Sequence, residues 1–541
     1  MDKSPRLKPV TVPWPRTALG GSQRPEVRPV WALLALACFL GGTSLRAEVK
    51  LPGIFGDDMV LQQGMAVPVW GWASEGETVT VQFRDQKVTT VAKDGKWQVR
   101  LRKLAAGGPD TFTVSGKNEI RLSNVLVGEV WVCSGQSNME WPLNRSFEPQ
   151  TAIAQSGNPA MRLFTVPKLK ANAPTNNVNG KWSLCGPDSS PGFSAVAYFF
   201  GRDLQKALGV PIGLIHTSWG GSPAEVWMTD DVLSANPDYK TTILDAYPKA
   251  LQAYQAALAD FEKETAELAK DGKKPTRNKP TPPYWKPTEL YNGMIAPLVP
   301  YAIRGAIWYQ GESNAGRAHQ YRTLFADMIR NWRRDWGQGN FTFLEVQLAP
   351  WDKGKKRTLA DITSSPGDSD WAELREAQVL ATKTLPSVGM AVITDVGDKD
   401  DIHPTKKEPV GARLALAARA IAYGEKIPFS GPSYRRLKVE GDKAILSFDH
   451  VGRGLEARGG ELQGFAVAGA DHKFVWAKAE IDGDKVVVSS PQVAQPVAVR
   501  YGWSDFPVVN LWNKDGLPAV PFRTDAFPMV TQPKQQLTMG K

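Results

Sequence analysis

Five histidines and three cysteines in 541 residues leave little material for metal or thiol chemistry. The sequence has no His-x-x-x-His pair, no cysteine cluster and no Asp-x-Asp-x-Asp-Gly loop, so it offers no zinc or calcium site and no cofactor is expected. Cys38 falls in an N-terminal leader, which leaves Cys133 and Cys185; an exported chain could pair them, and the alternative is two buried thiols. A hydrophobic run of membrane-spanning length is also missing. The apolar stretch from Val30 to Leu40 is too short for a comfortable span. It follows a leader rich in Pro, Arg and Lys and precedes Gly41, Gly42, Thr43 and Ser44, with Ala47 suited to precede a cleavage point. Residues 1–47 therefore read as a secretory signal peptide with a long basic leader, an uncleaved anchor being the competing reading. The expected mature chain begins near Glu48, is exported to the periplasm or beyond, and makes no stable membrane insertion.

A surplus of charge is lacking once the leader is set aside. The formal net charge is +10, but residues 1–47 carry seven Lys/Arg against two Asp/Glu, so half of it leaves with them. The remainder, spread over nearly 500 residues, gives no reason to expect a nucleic-acid partner. No solenoid-type repeat is present.

What is present is a globular, aromatic-rich chain, 42% hydrophobic and 22% charged with 19 tryptophans, long enough for two to four structural units. Residues 48–126 alternate apolar and polar in short segments broken by turns such as Glu75-Gly76-Glu77 and Lys93-Asp94-Gly95-Lys96, the pattern of a small antiparallel β-sandwich. From residue 127 to about 427, buried strands alternate with amphipathic helices, as an α/β fold with a parallel sheet requires. Residues 194–209 predict a helix closed by glycine and 211–216 the strand after it; further helices are expected over 320–336, 374–384 and 408–424. Residues 239–281 read as a helical insertion ending in a basic, proline-rich loop. Alternating segments return after Pro428, predicting a C-terminal β-domain over 428–541.

One stretch stands out within the α/β region. The apolar run of residues 125–133 predicts a buried strand, and the small residues Ser134 and Gly135 allow a sharp turn that presents Ser137. Ser137 then serves either as a nucleophile or as the N-cap of a helix beginning at Asn138. The G-x-S-x-G elbow is not matched, because Met139 stands where its second glycine would be. Of the five histidines, His403 is best placed to serve as a base. It follows Asp398-Lys399-Asp400-Asp401-Ile402 in a polar loop between a strand and the last helix, although a histidine there could also cap that helix. Either Asp400 or Asp401 could hold its imidazole. Two further segments carry polar groups at strand ends: His216-Thr217-Ser218-Trp219-Gly220-Gly221, where paired glycines permit close backbone approach, and Trp308-Tyr309-Gln310-Gly311-Glu312-Ser313-Asn314.

The string Ser134-Gly135-Gln136-Ser137-Asn138-Met139 resembles the first block of the SGNH (GDSL-like) hydrolases, in the branch that holds sialate O-acetylesterases and related carbohydrate acetylesterases. The two segments above and Asp400-x-x-His403 resemble its later blocks, in the same order, with Trp-x-Gln-Gly-Glu replacing the usual Gly-x-Asn-Asp. The resemblance implies an SGNH-type parallel sheet flanked by helices, between N-terminal and C-terminal β-sandwich-like domains. It also implies that Ser137 is the nucleophile, His403 the base and Asp400 the residue that orients it. The oxyanion would be held by the Ser137 N–H, the Gly221 N–H, with Gly220 as alternate, and the Gln310 amide. Asn314 stays open as a donor, and Glu312 as a structural carboxylate, a substrate contact or the acid partner of His403. The activity implied is that of an exported serine esterase removing O-acetyl groups from carbohydrates. Acetylated xylan or another polysaccharide is the alternative substrate, and a carbohydrate-binding protein with an inert serine site is the alternative of a different class.

Overall fold

The computed structural model describes residues 48–533, so the leader and its cleavage point lie outside the described residues. The strand Glu119–Gly135 is 17 residues long and belongs to two neighbourhoods. Its first half pairs antiparallel with Gly107–Ser115 and parallel with Val60–Gln62. Its second half lies between the parallel strands Ile212–Ser218 and Gly305–Tyr309. The sheet continues through Thr342–Val346 to Val388–Ala391 on one side, and through Asn158–Thr165 to Trp182–Cys185 on the other, the last pair antiparallel. Every residue from Val125 to Gly135 is buried, as a central parallel strand covered on both faces requires. The N-terminal β-strands therefore share a hydrogen-bonded ladder with the α/β sheet, and the change of sequence texture near residue 127 falls inside one strand.

Alternation along that strand divides the core. Val130 and Val132 face one side, with Ala306, Trp308 and Phe343, and pack against helices Ala318–Trp336 and Asp370–Thr384. Trp131 and Cys133 face the other, with Ile307, Tyr309 and Leu344, and pack against helices Ala195–Leu208 and Glu408–Ile421. The small residues of the last helix allow close approach: a Cβ on Gly411 would fall 2.6 Å from the Phe199 Cβ. Helix Ala195–Leu208 is capped by Ser194 and closed by Gly209 in the left-handed conformation, as expected. Helix Asp370–Thr384 begins earlier than its apolar pattern suggests, because the Ser369 hydroxyl accepts from the Ala372 N–H at 3.0 Å and caps the added turn. The excursion after residue 236 holds the long helix Ala246–Lys270.

Residues 433–523 form two four-stranded antiparallel sheets and one two-stranded pair around their own core. Arg375 joins this region to the central sheet. Its buried guanidinium donates to the carbonyls of Leu348 at 2.8 Å, Ser504 at 2.7 Å and Asp505 at 3.0 Å. Cys133 and Cys185 are both free buried thiols, which settles the open question of their pairing. Among the described residues no helix is long and apolar enough to cross a membrane.

Glu129 locks the start of the central segment. Its carboxylate is fully buried and receives Arg304 at 2.6 and 3.1 Å, Gln62 at 2.9 Å and Gln63 at 2.6 Å. Arg304→Met leaves that charge without its counter-ion, and Gln62 and Gln63 offset only part of the loss. Urea unfolding is expected to show destabilisation at the lower end of the roughly 3–5 kcal/mol typical of breaking a buried pair. An unchanged midpoint would contradict this role.

Candidate active site

The strand that carries the serine ends where it must turn sharply. Gly135 has φ +138°, and a Cβ there would fall 2.2 Å from the Tyr309 carbonyl oxygen. The turn is stitched to both neighbouring strands: the Gln136 N–H donates to Tyr309 O at 2.9 Å and the Trp219 N–H to Gly135 O at 3.1 Å. A short helix, Ser137–Glu140, follows. Ser137 is its first residue, not its cap, so its hydroxyl is free for other partners. That hydroxyl lies 2.9 Å from His403 Nε2, joining positions 266 residues apart.

His403 is held on several sides. Its ring stacks on Trp141 with centroids 5.2 Å apart, and the Arg145 guanidinium lies 4.3 Å from the Trp141 ring centroid. The Asp401 Oδ1 accepts the His403 backbone N–H at 2.8 Å and sits 3.5 Å from Nδ1. Partial burial lowers the His403 pKa below the ordinary histidine value, assisted by Lys407 and Arg145 and opposed by Asp401. The imidazole is thus neutral at pH 7 and able to take a proton. His216, by contrast, is buried with Nε2 2.6 Å from the Ser218 hydroxyl, and burial pushes its pKa down to about 4.

The expected orienting acid needs correction. Asp400 is two-thirds exposed and pairs with Lys399, and among the described residues it makes no hydrogen bond or ion pair with His403. The chain turns over Asp398, whose Oδ1 accepts the N–H groups of Asp400 at 2.9 Å and Asp401 at 3.2 Å. This turn directs the carboxylate two residues before the histidine, not three, toward Nδ1.

Gln310 needs correction as well. Its amide is fully buried and donates to Ser222 O at 3.2 Å and Asn314 Oδ1 at 2.7 Å, while its Oε1 accepts from the Tyr321 hydroxyl at 2.9 Å. Both amide hydrogens are engaged in scaffolding, so Gln310 is not a free oxyanion donor. Asn314 is similarly bound: its Oδ1 also accepts from the Ala224 N–H at 2.9 Å, and its Nδ2 donates to Glu225 at 2.9 Å. Gly220 lies against Ser137, with its Cβ position 3.3 Å from the Ser137 Cβ, but its N–H donates to Glu140 Oε2 at 2.7 Å. The next N–H, that of Gly221 at φ +76°, makes no hydrogen bond among the described residues. The Ser137 N–H, at the start of its helix, is likewise without an acceptor.

Glu312 does not meet the acid role. Its Oε1 accepts from Asn138 Nδ2 at 2.7 Å, and burial raises its pKa against the effects of Asn138 and Lys407. Asn138 Nδ2 also donates to Ile402 O at 3.0 Å, and its Oδ1 accepts from Lys407 Nζ at 2.5 Å. Sequence reasoning missed Asn138, Glu140, Trp141 and Lys407. A signal existed for Lys407, which immediately precedes helix Glu408–Ile421, an end where the helix dipole disfavours a cation.

A serine hydroxyl bonded to a neutral histidine, beside unengaged N–H donors at the C-terminal edge of a parallel sheet, is an arrangement suited to a hydrolase of carboxylic esters. Comparison with known proteins makes this particular. Residues 276–420 match the family described as carbohydrate esterase, sialic acid-specific acetylesterase. Human sialate O-acetylesterase is 29% identical over 520 residues, covering 86% of this chain and 90% of that one. The rat enzyme of the same name is 28% identical over 527 residues, covering 89% and 94%. The crystal structure of a carbohydrate acetylesterase from Xanthomonas citri is 42% identical, with a TM-score of 0.76, and the match covers 88% of this chain and all of that one. The chain belongs to the sialate O-acetylesterase family of carbohydrate esterases.

The geometry separates the two aspartates. Asp401→Asn is expected to lower kcat/KM at least about ten-fold, short of the ~10⁴ typical of a buried triad aspartate, because the Asp401 side chain is 58% exposed. Activity falls as pH drops through the lowered His403 pKa, so the acid limb lies below pH 6.5, the ordinary histidine value. Removing Asp401 removes a group that raises that pKa, so the limb moves to still lower pH. Asp400→Asn should leave both unchanged. Equal effects of the two substitutions in a pH–rate profile would contradict the assignment.

Proposed function

We propose that this chain removes O-acetyl groups from carbohydrates outside the cytoplasm, with Ser137 as nucleophile and His403 as general base. The observation that carries the reading is the 2.9 Å contact between Ser137 Oγ and His403 Nε2. Ser137 Oγ attacks the acetyl carbonyl while His403 Nε2 takes its proton, and Asp401 stabilises the imidazolium that forms. Charge developing on the carbonyl oxygen meets the N–H groups of Ser137 and Gly221, donors already oriented and free of other partners. Collapse of the tetrahedral intermediate releases the sugar alcohol, which takes the proton from His403. Water, activated by the same histidine, then hydrolyses the acetyl-serine and frees acetate.

Lys407 supports the resting state of this cycle. Its buried ammonium, whose pKa burial lowers to about 7, is one of the charges holding His403 in the neutral form a base requires. The signal-like sequence of residues 1–47 supports export. The names of the relatives support an O-acetylated carbohydrate as substrate, and sialic acid esters and acetylated xylan are the two classes to compare.

Acetate release from 9-O-acetylated sialic acid and from acetylated xylan, measured in parallel, tests the reading. The chain is expected to hydrolyse at least one of them, and Ser137→Ala to lose about 10⁴-fold or more in kcat. A Ser137→Ala protein with wild-type rates overturns it.

A further inference from the structure

The proposed chemistry leaves open where the sugar lies. Next to the nucleophile turn, three aromatic rings and two lysines form a shelf that the reaction steps do not use. Trp219 precedes Gly220, the residue packed against Ser137. Trp285 meets Trp219 edge-on, with centroids 5.7 Å apart, and Tyr284 meets Trp285 edge-on at 4.7 Å. Lys170 Nζ lies 4.0 Å from the Tyr284 ring centroid, 4.4 Å from that of Trp285 and 5.8 Å from that of Trp219, and it donates to the Tyr284 carbonyl. Lys168 Nζ lies 5.3 Å from the Trp219 centroid.

Three features point to a ligand. Tyr284 is 61% exposed, an unusual state for a large ring at the end of an otherwise packed aromatic row. The row starts beside Ser137 and ends at the exposed ring of Tyr284. Its outer end comes from residues 284 and 285, on the segment that returns from the excursion containing helix Ala246–Lys270, so that excursion furnishes part of the active-site rim. Both ammonium groups already have carboxylate partners, Lys168 with Glu140 at 2.5 Å and Lys170 with Glu289 at 3.0 Å. The shelf therefore offers apolar ring surface bordered by hydrogen-bonding groups, its two lysines already paired. A pyranose has the matching chemistry: an apolar C–H face and a rim of hydroxyls.

We infer that Trp219, Trp285 and Tyr284, with Lys170, form the subsite that receives the pyranose ring of the substrate, and that Tyr284 and Trp285 are specificity determinants. This rests on the function proposed above. Tyr284→Ala and Trp285→Ala are compared with wild type on acetylated xylan, 9-O-acetylated sialic acid and p-nitrophenyl acetate. The quantity read is the ratio of kcat/KM for the carbohydrate ester to that for the aryl ester, which does not depend on the fraction folded. The ratio is expected to fall ten-fold or more, mainly through KM, with Tyr284→Phe restoring most of it. Ratios within two-fold of wild type in both variants overturn the subsite and leave the esterase reading standing. A wild-type protein that hydrolyses the aryl ester and neither carbohydrate ester overturns both.

Discussion

The site depends on one buried amide. Asn138 is fully enclosed, and its hydrogen bonds to Glu312, the Ile402 carbonyl and Lys407 tie the nucleophile turn to two segments far along the chain. In a low-dielectric interior such a network is strong when complete and costly when broken. It also sets a neutral amide between the Lys407 Nζ and the Glu312 Oε1, with a hydrogen bond to each. Because the Ile402 carbonyl is one of its acceptors, the amide next to Ser137 fixes the backbone next to His403. Their contact is thereby a property of the fold and not of two loops meeting by chance.

The sheet supplies the frame. Strand Glu119–Gly135 lies between two parallel neighbours, and all three end at the same edge, at Gly135, Ser218 and Tyr309. The close approach of Gly135 to the Tyr309 carbonyl forces the chain out of the sheet at that edge and places Ser137 above it. The polar groups below the serine have a different task. Gln310, Asn314, Glu225 and Arg317 satisfy one another and thereby hold the loops that follow two strands, with Arg317 donating to Glu225 at 2.5 Å. In the proposed reaction the donors to the carbonyl oxygen are backbone N–H groups, which need no further ordering when charge develops.

Much of this was legible in the sequence, for identifiable reasons. Ser137 follows an unbroken apolar run and a small-residue turn, and His403 follows a buried strand in a polar loop, so local pattern made both candidates, each with a capping alternative, and the family resemblance selected the catalytic reading. The parallel sheet followed from the alternation of strands and helices. The family resemblance supplied the order of the blocks but not the direction of individual side chains. Asp400 and Asp401 are adjacent carboxylates in a loop, and only the turn over Asp398 decides which one faces the imidazole. Gln310 stands at a strand end, from which an amide can face the reaction or the loop behind it; Ser222, Asn314 and Tyr321 draw it to the latter. The ladder joining the N-terminal strands to the central sheet was hidden because one strand changes partners midway while its sequence remains plausible for either neighbourhood.

Labelling with a fluorophosphonate, followed by peptide mass spectrometry, tests the pairing of Ser137 with His403. One adduct is expected, on Ser137, forming about 10²-fold or more slowly in His403→Ala, the scale of general-base assistance. An adduct on another residue, or a His403→Ala protein labelled at the wild-type rate, would contradict it.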